Sequence, residues 1–245
     1  MPYSLKGRNV LVTGGSRGLG ALVAEKFAEE GCNIAINYVS NVESAKQVAG
    51  KIEEQWKSKT VIVQGDVGVL ADCKNVVQES IKGLGGLDII ISNAGWTKFS
   101  VFGDLDALSE EEWDKCWAVN VKGNLHLLRE ALPTFNANPD GGAFLITSSI
   151  AGVIPSGSTM AYAVTKAAGL QLMKCLAVTQ GPKVRINAVL PGLLLTEWGR
   201  KYSPERIKNL TERAPLKKVA ELEDTADAFV ALAKVKLPDG FGELS

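Results

Sequence analysis

"NVLVTGGSRGLG", Asn9 to Gly20, is an apolar run that ends in a glycine-rich turn and continues into a helical pattern. Val10, Leu11 and Val12 follow one another without polar alternation, the mark of a strand covered on both faces. Gly14 permits a tight turn, and Gly18 and Gly20 let backbone and helix approach a pyrophosphate lying at the positive helix N-terminus. A glycine turn alone is a weak signal. With a strand before it and a helix after it, the turn has the context needed to cradle phosphate.

The same alternation continues outward. "NIAINY", "TVIVQGDV", "LDIIISNAG", "AFLITSS" and "VRINAVLPG" read as five further strands of the covered type. Helical patterns separate them at Leu19 to Glu30, Val42 to Trp56, Ala71 to Lys82, Glu110 to Leu132 and Tyr162 to Val178. This order predicts an α/β, Rossmann-like, doubly wound parallel sheet of six strands with helices on both faces. In such a sheet ligands bind beyond the carboxyl ends of the strands, near the point where strand order reverses.

The chain has 245 residues, 46% of them hydrophobic, enough for one full core, and no Pro/Ser-rich linker, charge run or repeat divides it. One dinucleotide-binding catalytic domain over residues 1–245 is the expectation. Lys+Arg and Asp+Glu both number 27, so no global field draws the protein to nucleic acid or an anionic membrane. No run of roughly 18 apolar residues marks a membrane span, and no apolar leader precedes a cleavage site, so a soluble cytoplasmic protein is expected. Cys32, Cys73, Cys116 and Cys175 are widely spaced, and His126 is the one histidine, which argues against a metal site and a disulfide scaffold.

Tyr162 and Lys166 in "YAVTK" are four apart and share one helical face. A ketone accepts hydride when its oxygen is protonated as charge develops, and a phenol can donate that proton if a neighbouring ammonium favours phenolate. "ITSS" brings the hydroxyls of Ser148 and Ser149 to the same sheet edge.

Taken together, the G-x-x-x-G-x-G spacing of Gly14, Gly18 and Gly20, "SNAG" and "YAVTK" resemble the single-domain branch of the short-chain dehydrogenase/reductase family, from about Lys6 to Lys234. The resemblance implies that Ser149 holds the substrate carbonyl and that Tyr162 is the general acid/base. It implies that Lys166 tunes the tyrosine and contacts the nicotinamide ribose, and that Asn120 helps hold a water that relays protons. It places Ser16, Arg17 and Leu19 with the glycines around the cofactor, and Asp66 with Val67 beside the adenine. Asn93, Ala94 and Gly95 line the cofactor's middle in the family, though Ser92 stands where relatives often have Asn. Pro191, Gly192 and Thr196 would border the nicotinamide, and residues 193–215 would form a substrate lid. Trp96, Trp198 and Tyr202 are candidates for apolar cleft walls.

An NAD enzyme usually places Asp or Glu after the second strand to bind the ribose 2′-hydroxyl. Here Asn37 to Asn41 contain no acid; Tyr38, Ser40 and Asn41 close that strand, and Arg17 sits beside the site. NADP(H) is therefore the expected cofactor, and a small carbonyl compound or alcohol the expected substrate. The alternatives are a catalytically idle NADP(H)-binding sensor or scaffold, which would be expected to lose Tyr162, Lys166 or Ser149, and a nucleotide-sugar epimerase, which would have another glycine spacing. Residues 235–245 depart from the family's last strand, and Pro238 would interrupt pairing there. The expectation is a missing or badly formed seventh strand, and a homodimer rather than a tetramer.

Overall fold

The computed structural model describes residues 3–235 and 243–244. Its strands are β1 Asn9–Val12, β2 Asn33–Tyr38, β3 Thr60–Gln64, β4 Ile89–Ser92, β5 Gly142–Thr147, β6 Val184–Val189 and β7 Glu243–Leu244. All pair in parallel, in the order β3-β2-β1-β4-β5-β6-β7. The chain runs outward from β1 to β3, then returns to lay β4 on the other side of β1. The crevice beyond the carboxyl ends of β1 and β4 is thus the switch point of the sheet.

Side chains alternate along each strand, so one continuous apolar run feeds two cores. Val10, Val12, Ile34, Ile36, Ile89 and Ile91 pack under α1 Gly18–Glu29, α2 Val42–Trp56 and, beyond the later helices, α8 Leu222–Lys234. Leu11, Ala35, Ile90, Phe144 and Ile186 face the other way, toward α3 Leu70–Leu84, α5 Gly123–Ala137 and α6 Met160–Gln180. Phe27 and Phe229 are fully buried in the first core, Phe135 and Phe144 in the second. Truncating any one of them to Ala costs about 3–5 kcal/mol.

One helix differs from the expectation. The helix expected over Glu110 to Leu132 is α4 Glu110–Trp117, a π-helical turn Ala118–Lys122, and then α5. The wider turn goes with side-chain bonds, one set distant and one local: the Asn120 amide is held by Trp96, and Asn124 Nδ2 donates to the Asn120 carbonyl at 2.7 Å. The seventh strand, expected to be missing or badly formed, is reduced to a two-residue ladder, Glu243 and Leu244 beside Ala188 and Val189. The pairing falls after Pro238, where each residue keeps its backbone donor, so the proline does not block it; Pro238 itself lies outside the described residues.

Candidate active site

The glycine turn is fixed by its surroundings. Gly14 and Gly18 have φ of 59° and 54°, in the left-handed region that favours glycine. At Gly20 a Cβ would press on the Gly14 carbonyl and stand 2.5 Å from Asn93 Nδ2. Thr13 Oγ1 accepts from the amides of Asn93 and Ala94 at 2.9 and 3.0 Å, and Asn93 Nδ2 donates to the Thr13 carbonyl at 3.0 Å. Thr147 Oγ1 donates to Asn93 Oδ1 at 3.2 Å, so Asn93 ties the ends of β1, β4 and β5 together.

Asn37, a polar residue 1% exposed inside an apolar strand, does similar work on the other side. Its Oδ1 accepts from the Gly14 amide at 3.2 Å, and its Nδ2 donates to the Gly65 carbonyl at 2.9 Å. An amide within the apolar run "NIAINY", at the end of its strand, is the sequence signal for this role.

α1 begins at the glycine turn without a side-chain cap, since its N-cap residue is Arg17. Its first amides are therefore free of side-chain capping at the crevice, the arrangement that receives an anion. The glycine cradle and these amides fit a dinucleotide pyrophosphate. Tyr38, Ser40 and Asn41 border the same cleft, and Asn41 Oδ1 is engaged as the cap of α2, accepting from the Ser44 amide at 3.0 Å. Arg17 reaches across the mouth to Glu197, 3.1 Å away, both side chains largely exposed.

The cleft is about 1730 Å³ and brings together every candidate residue except Trp96, Asn120, Asp66 and Val67. Asp66 and Val67 stand outside that lining: Asp66 Oδ1 accepts from the Gly68 amide at 2.8 Å and closes its own turn, while the Val67 side chain packs in the second core. Asn120 lies behind the wall. Its Oδ1 accepts from the Trp96 amide at 2.9 Å, and its Nδ2 donates to the Trp96 carbonyl at 2.9 Å and Thr165 Oγ1 at 3.0 Å. The side chain thus clips the segment after β4 to α6.

Thr159 caps α6, accepting from the Tyr162 amide at 3.1 Å, and sets the helix so that Tyr162 and Lys166 face the cleft. Ser149 Oγ accepts from the Ala151 amide at 3.1 Å and stands near enough to the Tyr162 phenol to act on its pKa. Lys166 Nζ donates to the Thr147 carbonyl at 2.8 Å and lies 5.4 Å from the centre of the Tyr162 ring, over its face. Burial pushes the Tyr162 phenol above its ordinary value of 10, with the neighbouring Ser149 hydroxyl acting against it. Burial also lowers Lys166 to about 8. Desolvation dominates the phenol in this cleft, and the expected lowering by the Lys166 ammonium does not figure among the influences on it. Ser148 Oγ, buried and bordering the cleft, has no hydrogen-bond partner among the described residues, so a polar group remains for a bound molecule to satisfy.

Trp198 stands 6.2 Å from the Tyr162 ring, and Phe99 packs edge-on against Tyr202 at 5.0 Å. Trp198 and Tyr202 form walls of the cleft as expected, but Trp96 does not; it packs against the second core, with Lys115 Nζ 5.5 Å from its ring centre. Among the described residues, no helix is long and apolar enough to cross a membrane.

A parallel doubly wound sheet, with a glycine cradle at its switch point and a serine, tyrosine and lysine gathered across from it, defines a dinucleotide-binding protein of the Rossmann class. The short chain dehydrogenase family profile matches residues 8–207. The chain therefore belongs to the short-chain dehydrogenase/reductase family of oxidoreductases, whose members act on small molecules. It is 33% identical over 237 residues to glucose 1-dehydrogenase of Gluconobacter oxydans, spanning 95% of this chain and 88% of that one. It is 30% identical over 236 residues to 3-oxoacyl-(acyl-carrier-protein) reductase of Staphylococcus epidermidis, spanning 95% of each. Among solved structures it resembles a short chain dehydrogenase from Burkholderia cenocepacia in complex with NADP, with TM-score 0.86 and 28% identity over 97% of this chain and 94% of that one. It also resembles the NADPH-dependent 3-quinuclidinone reductase of Rhodotorula rubra, with TM-score 0.88 and 26% identity over 97% and 89%.

Proposed function

We propose that the protein is an NADP(H)-dependent reductase of ketones, or dehydrogenase of secondary alcohols, with Tyr162 as its general acid/base. The observation that carries the reading is the grouping of Ser149, Tyr162 and Lys166 in one cleft with the glycine cradle. The nicotinamide, when bound, supplies or takes the hydride. Ser149 and Tyr162 hold the carbonyl oxygen by hydrogen bonds, and Tyr162 passes its proton to that oxygen as negative charge develops. Burial favours the neutral phenol, so the tyrosine is in its proton-bearing form at neutral pH. Lys166 and Ser149 then stabilise the phenolate that remains, the lysine being still protonated for the most part below about 8.

Gly14, Ser16, Gly18, Leu19 and Gly20 would hold the pyrophosphate, and Asn93, Ala94 and Gly95 the middle of the cofactor. Pro191, Gly192 and Thr196 would border the nicotinamide. Asn120 acts through position, by fixing Gly95, Trp96 and α6. NADP(H) is favoured over NAD(H) because no acid follows β2 and Arg17 stands at that end of the cleft; the NADP complex and the NADPH-dependent reductase among the similar structures support this.

The chain acts as one catalytic domain in which residues 193–215 cover the substrate. Its subunits pair through α5 and α6, where Leu125, Val164 and Val178 are exposed apolar residues. Free thiols at all four cysteines, three of them buried, support a reducing cytosol as its place. Oxidation of NADPH against ketones, quinones and keto-acyl thioesters tests the function. Turnover of at least one class, with NADPH used in preference to NADH, is expected. No turnover in either direction across the panel would refute the reading.

A further inference from the structure

The helix α7 Pro204–Arg213 buries none of its residues, yet one of its faces borders the cleft. Arg206, Asn209, Leu210 and Arg213 fall at i, i+3, i+4 and i+7, which is one stripe of a helix, and all four line the cleft. Lys208 and Glu212 pair with each other at 3.8 Å and do not line it. Arg206 and Arg213 stand two turns apart, roughly 10 Å along the helix axis. Among the described residues neither has an ion-pair partner.

Acids do border the cleft, but they belong to its other parts. Glu197 is held by Arg17, while Glu221 and Asp224 open α8, which packs on α1 beside the glycine turn. The α7 stripe is at the reacting end. Arg206 is near enough to Tyr202 to lower its phenol, against the burial that raises it. Ser158, which also acts to lower the Tyr202 phenol, stands one residue before the cap of the helix that carries Tyr162. Between Tyr162 and α7 the wall is aromatic, made by Trp198 and Tyr202. A molecule reaching from Ser149 to α7 thus passes from hydrogen-bonding hydroxyls along an apolar wall to two guanidinium groups with an amide between them.

Resting on the carbonyl chemistry proposed above, we infer that the substrate carries an anionic group, carboxylate or phosphate, at the end away from its carbonyl, and that Arg206 and Arg213 select it. Guanidinium forks match either oxyanion. Asn209 adds a neutral donor, and the uncharged span of the substrate lies along Trp198 and Tyr202.

The test compares methyl-ketone carboxylates of increasing chain length with their methyl esters, and with ketone-bearing alkyl phosphates, using the full chain and NADPH. A charge-assisted hydrogen bond gives the acid an advantage of about 10- to 100-fold in kcat/KM over its ester. The length at which that preference peaks reads the distance from carbonyl to α7, and the phosphates show which anion is preferred. Arg206→Ala and Arg213→Ala should each pull the acid-to-ester ratio toward one, and Arg206→Lys should restore part of it. Equal kcat/KM for acid and ester at every length overturns the inference. So does a loss of NADPH affinity in the alanine variants, read separately by tryptophan fluorescence, since the arginines would then serve the cofactor. Calorimetric binding of each acid and ester to the enzyme with NADP⁺ reads the inference without turnover: tighter acid supports it, and equal binding overturns it. Acid preference in binding with no turnover at all would overturn the carbonyl chemistry and leave anion recognition standing.

Discussion

Asn120→Ala should destabilise the protein by far more than its loss of side-chain area suggests. The amide of Asn120 closes both the N–H and the C=O of Trp96 at 2.9 Å each, and also reaches Thr165 Oγ1 at 3.0 Å and Cys116 Sγ at 3.2 Å. Alanine leaves the Trp96 N–H without a partner and the Trp96 carbonyl with only the weak 3.6 Å bond from Cys116 Sγ, and a buried orphan costs about 1–3 kcal/mol. Trp96 is only partly buried, so the lower half of that range applies to each and the sum is about 2–4 kcal/mol. For a chain of this size that is roughly 4–16 °C in midpoint temperature. Urea unfolding followed by far-ultraviolet dichroism measures it, with an unchanged slope showing that the denatured state is not the cause. Asn120→Asp keeps the acceptor for the Trp96 amide but turns an oxygen toward the Trp96 carbonyl, and should cost as much or more. A shift below about 0.5 kcal/mol in the alanine variant, the range of an ordinary surface substitution, would refute the clip.

The remaining predictions concern the cradle, the cofactor and the buried lysine. Gly20→Ala should weaken NADPH at least tenfold in a fluorescence titration, because its Cβ meets the Gly14 carbonyl and Asn93 Nδ2; unaltered binding would show that the cradle is not where the pyrophosphate sits. Arg17→Ala should weaken NADPH selectively over NADH, by about the 1.5–3 kcal/mol of a charged hydrogen bond, whereas Glu197→Gln should tighten it no more than about fivefold, since the exposed pair it breaks is worth about 0–1 kcal/mol. Tighter binding of NADH by the wild type would overturn the cofactor assignment. Lys166 has its pKa lowered by burial from 10.5 to about 8, so between those values the unfolded chain binds more protons. The stability of the wild type relative to Lys166→Met should therefore rise as pH climbs from 8 to 10.5 and be flat below 8; a difference that falls with pH would mean that the lysine gains rather than loses by its charge.

The strands and most helices were legible because burial on both faces leaves an apolar run that no loop would carry, and because "TGGSRGLG" and "YAVTK" sit where such runs end. Val42–Trp56 matched its pattern end to end. What escaped depended on particular side-chain bonds, near and far along the chain. The π turn at Asn120 is set by Trp96 and Asn124, and the turn of Asp66 by Gly68 and Asp72, whose Oδ2 accepts from the Asp66 amide at 2.8 Å. Periodicity carries no record of such bonds. The Tyr162 and Lys166 spacing gave the pair but not its electrostatics, because desolvation depends on everything packed around it. The cleft-facing stripe of α7 is readable as a helix face only once it is known which side faces the cleft.

The central claim is that Tyr162 supplies the proton, and Tyr162→Phe tests it most directly. On a carbonyl substrate that the wild type reduces, the variant should turn over about 10²- to 10⁴-fold more slowly, the loss expected for a missing general acid, while NADPH affinity stays within a few-fold because the ring and its packing against Trp198 remain. Equal turnover in the variant and the wild type would contradict the account.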